Sequence, residues 1–550
     1  MPTVREVTFN LLRQLGLTTI FGNPGSTEEP FLKDFPADFR YVLALQEASA
    51  VGMADGYAQG SGRPALVNLH TAPGVGNGMG NIITAARNKT PLIITAGQQT
   101  RRTLLMEAFL SNVRATELPL PHVKWSYEPV RAQDVPAAFM RAYAEAVQAP
   151  AGPVFLSLPL DDWDQEAEGE AVLRSVSGRV APDPERLELV AAALRGARNP
   201  ALVMGAGVDR SGGWGAGVAL AETLGCAVYG APIAERLGFP TTHPQYRGPL
   251  PFAILPLGRA LAPHDVVVVV GAEVFRYYPY VPGEYLAGGT RVWQLTDDPA
   301  EAARAPVGDS VIGDARLCLE GLSAHLADFV PGWGRAVSAS PPPAATPDGG
   351  PATVPPSPAP APGDARLTAR DLFALVAQER PDDSVVVQEV PSSIPALMRH
   401  LKFSGPGRYF TMASGGLGFG LPAAVGLALA ERDGGRGWPV LAFIGDGSLH
   451  YSVQALWSAA QLGVRVVVVV PRNGEYGILK MFARQEGTPG VPGLDLPGLD
   501  AVRIAQGYGV TALAARTADE VRSALRDALR RDGPTLIEVP VTPEPGKLLG

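Results

Sequence analysis

Apolar runs of strand length recur along the chain between amphipathic or glycine-rich stretches, and they fall into three sets. In the first, residues 40–45, 64–69, 91–96 and 153–158 are mostly apolar at consecutive rather than alternate positions. That pattern belongs to strands buried on both faces, as in a parallel sheet covered by helices. A second set lies at 201–204, 265–270 and 291–295, after an acidic stretch at 161–170, and a third at 384–387, 439–444, 465–470 and 534–539. Between positions 341 and 362 the chain is almost entirely Pro, Ala, Gly, Ser and Thr, too poor in apolar surface to offset the cost of ordering. The expected fold class is α/β, with three doubly wound parallel-sheet domains at 1–165, 186–335 and 366–550 and a Pro/Ala-rich linker at 336–365.

The first residues place Val4, Val7, Leu11 and Leu15 at helical spacing with Arg5 and Arg13 between them, which reads as an amphipathic helix rather than a signal peptide. No apolar run approaches the roughly 20 residues that a membrane span needs, so no membrane partner is expected. Composition narrows the field further. Lys and Arg number 46 against 54 Asp and Glu, a net charge of −8 with no dense basic run, and nucleic acid is therefore not an expected partner. The two cysteines, Cys226 and Cys318, lack CxxC spacing and point to a reduced, cytoplasmic setting.

Doubly wound sheets bind ligands at the carboxyl ends of their strands, and there the chemistry-bearing residues collect. Gly445-Asp446-Gly447-Ser448 follows one Val-rich strand and Arg472-Asn473-Gly474-Glu475-Tyr476-Gly477 follows the next. An Asp carboxylate and an Asn amide oxygen on neighbouring strand tips suit an octahedral Mg²⁺ that also holds phosphate oxygens, and the glycines let backbone approach a diphosphate. In the first segment Glu47 opens a helix in an apolar setting. Alone it reads as a carboxylate favoured by the helix dipole, or as one that needs a proton or a donor. Gly22-Asn23-Pro24-Gly25-Ser26 reads alone as a turn, and His70 closes the next strand. Three such features at successive strand ends of one sheet argue for a shared site.

Together, Gly22-Asn23-Pro24-Gly25-Ser26, Ala44-Leu45-Gln46-Glu47, Asn68-Leu69-His70, Gly415-Gly416-Leu417-Gly418-Phe419 and Gly445-Asp446-Gly447-Ser448 resemble the thiamin-diphosphate-dependent 2-oxo acid decarboxylases. Residues 31–36, 123–129, 161–164 and 491–495 are most similar to the benzoylformate-decarboxylating members. The resemblance implies a pyrimidine-binding domain, a middle Rossmann-like domain and a diphosphate-binding domain. It implies a homo-oligomer, dimer or tetramer, with each site formed between subunits. Asp446, Asn473 and the Glu475 carbonyl would hold Mg²⁺, and Glu47 would hydrogen-bond the aminopyrimidine and drive removal of the thiazolium C2 proton. Asn23, Pro24, Gly25, Ser392, Gly415, Gly445, Gly447, Ser448, Tyr476, Gly477 and Ile478 would line the cofactor, with Leu417 as the apolar prop beneath its bend. Ser26 would bind the carboxylate of the small-molecule substrate, an aromatic or bulky 2-oxo acid, and His70 would transfer protons near the new alcohol.

Departures from the pattern are informative. A second histidine is expected in a Phe-Arg-Tyr-His run, and here the run is Phe275-Arg276-Tyr277-Tyr278. Tyr278 takes the place of an imidazole with a phenol, whose ordinary pKa near 10 makes it a poorer shuttle at neutral pH. Arg472-Asn473 replaces an Asn-Asn pair and keeps the ligand. Of three substrate-pocket positions, Thr411 stands for an aromatic, Ile478 for a small Ala, and Phe482 is kept, so the preferred acid need not be benzoylformate. His450 reads as a surface residue. Two other readings remain: a carboligase or acyl-CoA lyase of the acetolactate synthase kind, which a flavin or adenine nucleotide bound to the middle domain would favour, and a non-catalytic cofactor-binding homologue.

Overall fold

The computed structural model describes residues 1–286, 288–330 and 366–543; the expected linker at 336–365 lies outside them. The chain forms three six-stranded sheets, and every strand pair within them is parallel. The first contains β1 (Thr19–Gly22), β2 (Arg40–Leu43), β3 (Ala65–Leu69), β4 (Leu92–Gln98), β5 (Ser126–Tyr127) and β6 (Val154–Pro159) in the order 2-1-3-4-6-5. The second contains β7 (Ala201–Met204), β8 (Ala227–Gly230), β9 (Tyr246–Pro249), β10 (Val266–Val270), β11 (Arg291–Thr296) and β12 (Asp309–Ile312) in the order 12-11-10-7-8-9, which is the Rossmann order. The third contains β13 (Val385–Glu389), β14 (Tyr409–Phe410), β15 (Val440–Ile444), β16 (Val466–Arg472), β17 (Thr511–Ala514) and β18 (Thr535–Pro540) in the order 14-13-15-16-18-17.

The long apolar runs become the buried central strands. Val266–Val270 and Val440–Ile444 are buried at every position, as two covered faces require. The strands that the apolar pattern did not reveal are short: β1, with four buried residues cut off by the Asn23-Pro24 turn, and edge strands such as β5, β9 and β14.

Four helices position the site: α1 (Glu47–Ser61), α2 (Thr71–Asn88), α3 (Gly420–Asp433) and α4 (Gly477–Gln485). Helix α1 follows β2, α2 follows β3, and α3 joins β14 to β15. The first and third sheets do not have separate cores. Phe21, Val51, Ala54 and Leu69 belong to one buried apolar cluster with Val425, Leu429, Ile444 and Val468. Helices α1 and α3 cross at its centre, where a Cβ on Gly56 would lie 2.1 Å from the Ala423 carbonyl oxygen and one on Gly426 1.9 Å from that of Met53. Only glycine permits so close a crossing. Arg40 clasps Asp433 across the same junction at 2.5 Å.

Candidate active site

The third sheet carries a cleft between the tips of β13, β15 and β16. It is lined by Ser392, Leu417, Gly445, Asp446, Gly447, Ser448, Asn473, Glu475, Tyr476, Gly477 and Ile478, among others. Both Asp446 oxygens are anchored by backbone: Oδ1 accepts from Gly447 N at 2.9 Å and Oδ2 from Gly474 N at 2.7 Å. Burial pushes the Asp446 carboxyl up, and those N–H groups oppose the shift. Asn473 Oδ1 accepts from Glu475 N at 3.1 Å, which curls the loop so that Asn473 and Glu475 line the same cleft as Asp446. The turn is tight: a Cβ on Gly447 would lie 2.5 Å from the Tyr476 ring. Among the described residues no three His, Cys, Asp or Glu side chains form a metal cage. One carboxylate, one amide and one carbonyl suit a Mg²⁺ that completes its shell with phosphate and water, so the donor set fits thiamin diphosphate bound through Mg²⁺.

Arg472, the unexpected cation, pairs with Glu538 at 2.9 Å. Leu417 lies on a loop whose Gly415 has φ +75°, with Ser414 bonded to Thr84 of α2 at 2.8 Å. Thr411 does not line the cleft. It is buried, and its hydroxyl donates to the Gln388 carbonyl at 2.8 Å and accepts from Gln388 Nε2 at 2.9 Å. Ile478 begins α4, and Phe482 lies one turn further on. The Tyr278 ring, 59% exposed, packs against Phe482 with centroids 5.0 Å apart. His450 is exposed.

The first sheet carries a second cluster at the tips of β1, β2 and β3. Glu47, buried at the start of α1, accepts from Asn23 Nδ2 at 3.3 Å and from Asn77 Nδ2 at 3.1 Å. His70 Nδ1 lies 2.8 Å from Glu28 Oε2. A carboxylate only accepts, so Nδ1 carries the hydrogen and Nε2 is the nitrogen left for chemistry. Glu28 is 1% exposed and also accepts from Gly25 N at 2.9 Å, Gly97 N at 2.8 Å and Thr27 Oγ1 at 2.7 Å. The His70 ring fills the space beside Gly25, where a Cβ would lie 2.1 Å from Nδ1. Pro24 and Ser26 are exposed at the rim of this cluster.

Glu28 and Asn77 escape sequence reasoning because neither sits in a recognisable motif. The available signals are weak: a carboxylate two positions after Ser26 inside an otherwise turn-like segment, and an Asn among glycines in the first half of α2. Asn23, Ser26, Glu47 and His70 do not appear among the described residues that line the Asp446 cleft, all of which fall between 390 and 541. The first-sheet cluster and the third-sheet cleft thus share no lining residue among those described.

Comparison with known proteins accounts for all three sheets. Residues 2–118, 187–322 and 392–539 match the N-terminal TPP binding, central and C-terminal TPP binding domains of thiamine pyrophosphate enzymes. The chain is 48% identical to the benzoylformate decarboxylase of Pseudomonas aeruginosa over 98% of its own length and 99% of the relative's. Among solved structures, the benzoylformate decarboxylase of Polynucleobacter necessarius superposes with a TM-score of 0.93 at 46% identity, over 100% of both chains. The thiamine diphosphate-dependent 4-hydroxybenzoylformate decarboxylase of Rhodococcus jostii RHA1 does so with a TM-score of 0.90 at 44% identity, over 99% of this chain and 100% of the other. With its three domains matched and full-length relatives at this identity, the chain belongs to the thiamine pyrophosphate enzyme family, on the branch that contains the benzoylformate decarboxylases.

Proposed function

We propose that the chain decarboxylates an aromatic or similarly bulky 2-oxo acid such as benzoylformate, without oxidation, to an aldehyde and CO₂, using thiamin diphosphate held through Mg²⁺. The observation that carries this reading is the first-sheet cluster, in which Glu47 sits between two asparagine amides beside a His70–Glu28 pair and an exposed Ser26. A protein that merely bound the cofactor would have no use for an imidazole oriented by a buried carboxylate.

Asp446, Asn473 and the Glu475 carbonyl would hold the metal, and Gly445, Gly447, Ser448, Tyr476 and Gly477 would face the diphosphate. When bound, the cofactor supplies an electron sink for the pair released as CO₂ departs. Glu47 accepts the hydrogen bond of the aminopyrimidine, while Asn23 and Asn77 fix its two oxygens. Ser26 binds the substrate carboxylate, and His70 Nε2 moves a proton at the oxygen that begins as the ketone carbonyl. Ile478 and Phe482 bound the substrate side, and Tyr278 closes it as a ring tilted against Phe482. A dry pocket favours neutral CO₂ over the carboxylate.

A site that joins the two clusters would form between two copies, so the proposed working form is a homo-oligomer, dimer or tetramer. Leu105, Met106 and Phe109 are 96, 70 and 89% exposed, large apolar side chains of the kind that association covers. Among the described residues no helix is long and apolar enough to cross a membrane. Cys226 and Cys318 are buried free thiols, in keeping with a cytoplasmic enzyme. The test is CO₂ and aldehyde release from benzoylformate, phenylpyruvate, branched-chain 2-oxo acids and pyruvate, with thiamin diphosphate and Mg²⁺ supplied. Benzaldehyde from benzoylformate is the expected product, and silence on every acid would sink the reading.

A further inference from the structure

Glu389 is a buried carboxylate for which the proposed chemistry has no role. It ends β13, between β14 and β15, and is 1% exposed. Its partners among the described residues are backbone amides: Oε1 accepts from Gly418 N at 2.8 Å and Oε2 from Gly420 N at 2.6 Å. Burial pushes its carboxyl up to about 7 against the pull of the Gly418, Gly420 and Phe419 amides. Leaving a carboxylate in such a place is costly, and the geometry indicates what is obtained in return.

The two amides flank the turn that starts the fourteen-residue helix α3, where a negative group is favoured. Immediately before them stands Leu417, which lines the Asp446 cleft. The next peptide along is held as well, since the Gly418 carbonyl accepts from Ser452 Oγ at 2.6 Å and from Asn81 Nδ2 of α2 at 3.2 Å. Glu389 also reaches the opposite wall of the cleft, because its own carbonyl accepts from Gly445 N at 3.0 Å, one residue before Asp446. Gly420 makes the approach possible, since a Cβ there would lie 2.9 Å from that of Glu389. One residue thus ties the Leu417 loop to the turn that carries Asp446.

We propose that Glu389 is a positioning residue: its carboxylate, clamped on the Gly418 and Gly420 amides, sets where Leu417 stands in the cleft relative to Asp446. The proposal rests on the reading of this cleft as the thiamin diphosphate site. Glu389→Gln is nearly isosteric, but it sets an amide N–H₂ against one of two N–H donors, so the loop must shift while the sheet is kept. The variant should bind thiamin diphosphate and Mg²⁺ about tenfold or more weakly, in the range that loss of a ligand's supporting partner produces, with its melting temperature little changed. Glu389→Asp keeps the charge but is one methylene shorter and should restore only part of the affinity.

Hydrogen exchange separates failure of the clamp from failure of the cofactor reading. In the unsubstituted protein the amides of 418 and 420 should exchange as slowly as those of β15, and in Glu389→Gln at least tenfold faster, as a locally opened segment does. Amides of the unsubstituted protein that exchange as freely as the exposed loop at 434–437 would overturn the proposal, whatever the variant does. So would a Glu389→Gln protein with both exchange and cofactor affinity within about twofold of the original. If the unsubstituted protein binds no thiamin diphosphate, the cofactor reading fails and the exchange measurement still decides the clamp.

Discussion

The first and third sheets have the same strand order, 2-1-3-4-6-5 against 14-13-15-16-18-17, yet their strand tips carry opposite chemistry. At the tips of β1, β2 and β3 stand ionisable side chains tied into a hydrogen-bonded cluster: Glu28, Glu47 and His70, buried or half-buried and held by Asn23, Asn77 and Thr27. At the tips of β13, β15 and β16 stand glycine-rich turns, with Asp446 the carboxylate that faces the cleft from the β15 turn. The scaffold fixes where groups can converge, and the tip residues decide whether they bind an anion or perform acid–base work.

This contrast is broken most directly by one substitution on each side. Glu47→Gln should lower turnover about a thousandfold, within the span of lost acid–base catalysis, while calorimetry still finds magnesium-dependent cofactor binding. Asp446→Ala should instead lose binding, and turnover with it, abolishing the rise in melting temperature that thiamin diphosphate and Mg²⁺ give together. If both variants lose binding equally, the division of labour is wrong.

Glu28→Gln comes next. A neutral amide accepts more weakly from His70 Nδ1 and brings a donor of its own, so the imidazole is held less firmly and kcat/KM should fall by about ten- to a hundredfold. A value within about twofold of the original would reduce Glu28 to a packing residue. Tyr278→Phe should be milder, within about threefold in kcat/KM, because the ring contact with Phe482 survives and phenol is a poor shuttle at neutral pH. A larger loss would give the hydroxyl a chemical role.

The smallest effect concerns the seam between the two sheets. Asp55 on α1 is fully buried, and burial pushes its carboxyl up to about 6 despite hydrogen bonds from Thr90, Gln59 and Asn88. A carboxyl whose pKa is higher in the folded chain stabilises while protonated. Its contribution is complete below the unfolded value and is lost as pH rises through about 6. Denaturation midpoints should therefore decline between about pH 4 and 6, and Asp55→Asn should flatten that part of the curve. Glu235 titrates outside this window: burial raises its carboxyl, but Arg276 and Arg210 hold it down at about 2.

Much of this was legible in the chain. Consecutive apolar positions mark the central strands, because a sheet covered on both faces has no polar side to alternate with. That the Asp446 and Asn473 turns meet in one cleft is legible because both follow Val-rich strands of one sheet and collect glycines and oxygen donors at their ends. What could not be read was produced by packing. Glu28 reaches His70 across 42 positions, Arg472 finds its partner in Glu538, and the inward turn of Thr411 depends on the Gln388 carbonyl and amide. Strand β1 hid for a local reason, being four residues long with a proline turn at its end.

The interlocking of α1 with α3 also bears on how the protein is made. The apolar face of α1 meets its partner only after roughly 360 further residues have been synthesised, which at ribosomal speeds takes about twenty seconds to a minute. Throughout that interval the nascent amino-terminal sheet carries an uncovered greasy ridge beside Gly52 and Gly56. Premature release of such a chain, or its truncation before α3, yields a species suited to chaperone capture and aggregation rather than a small autonomous domain.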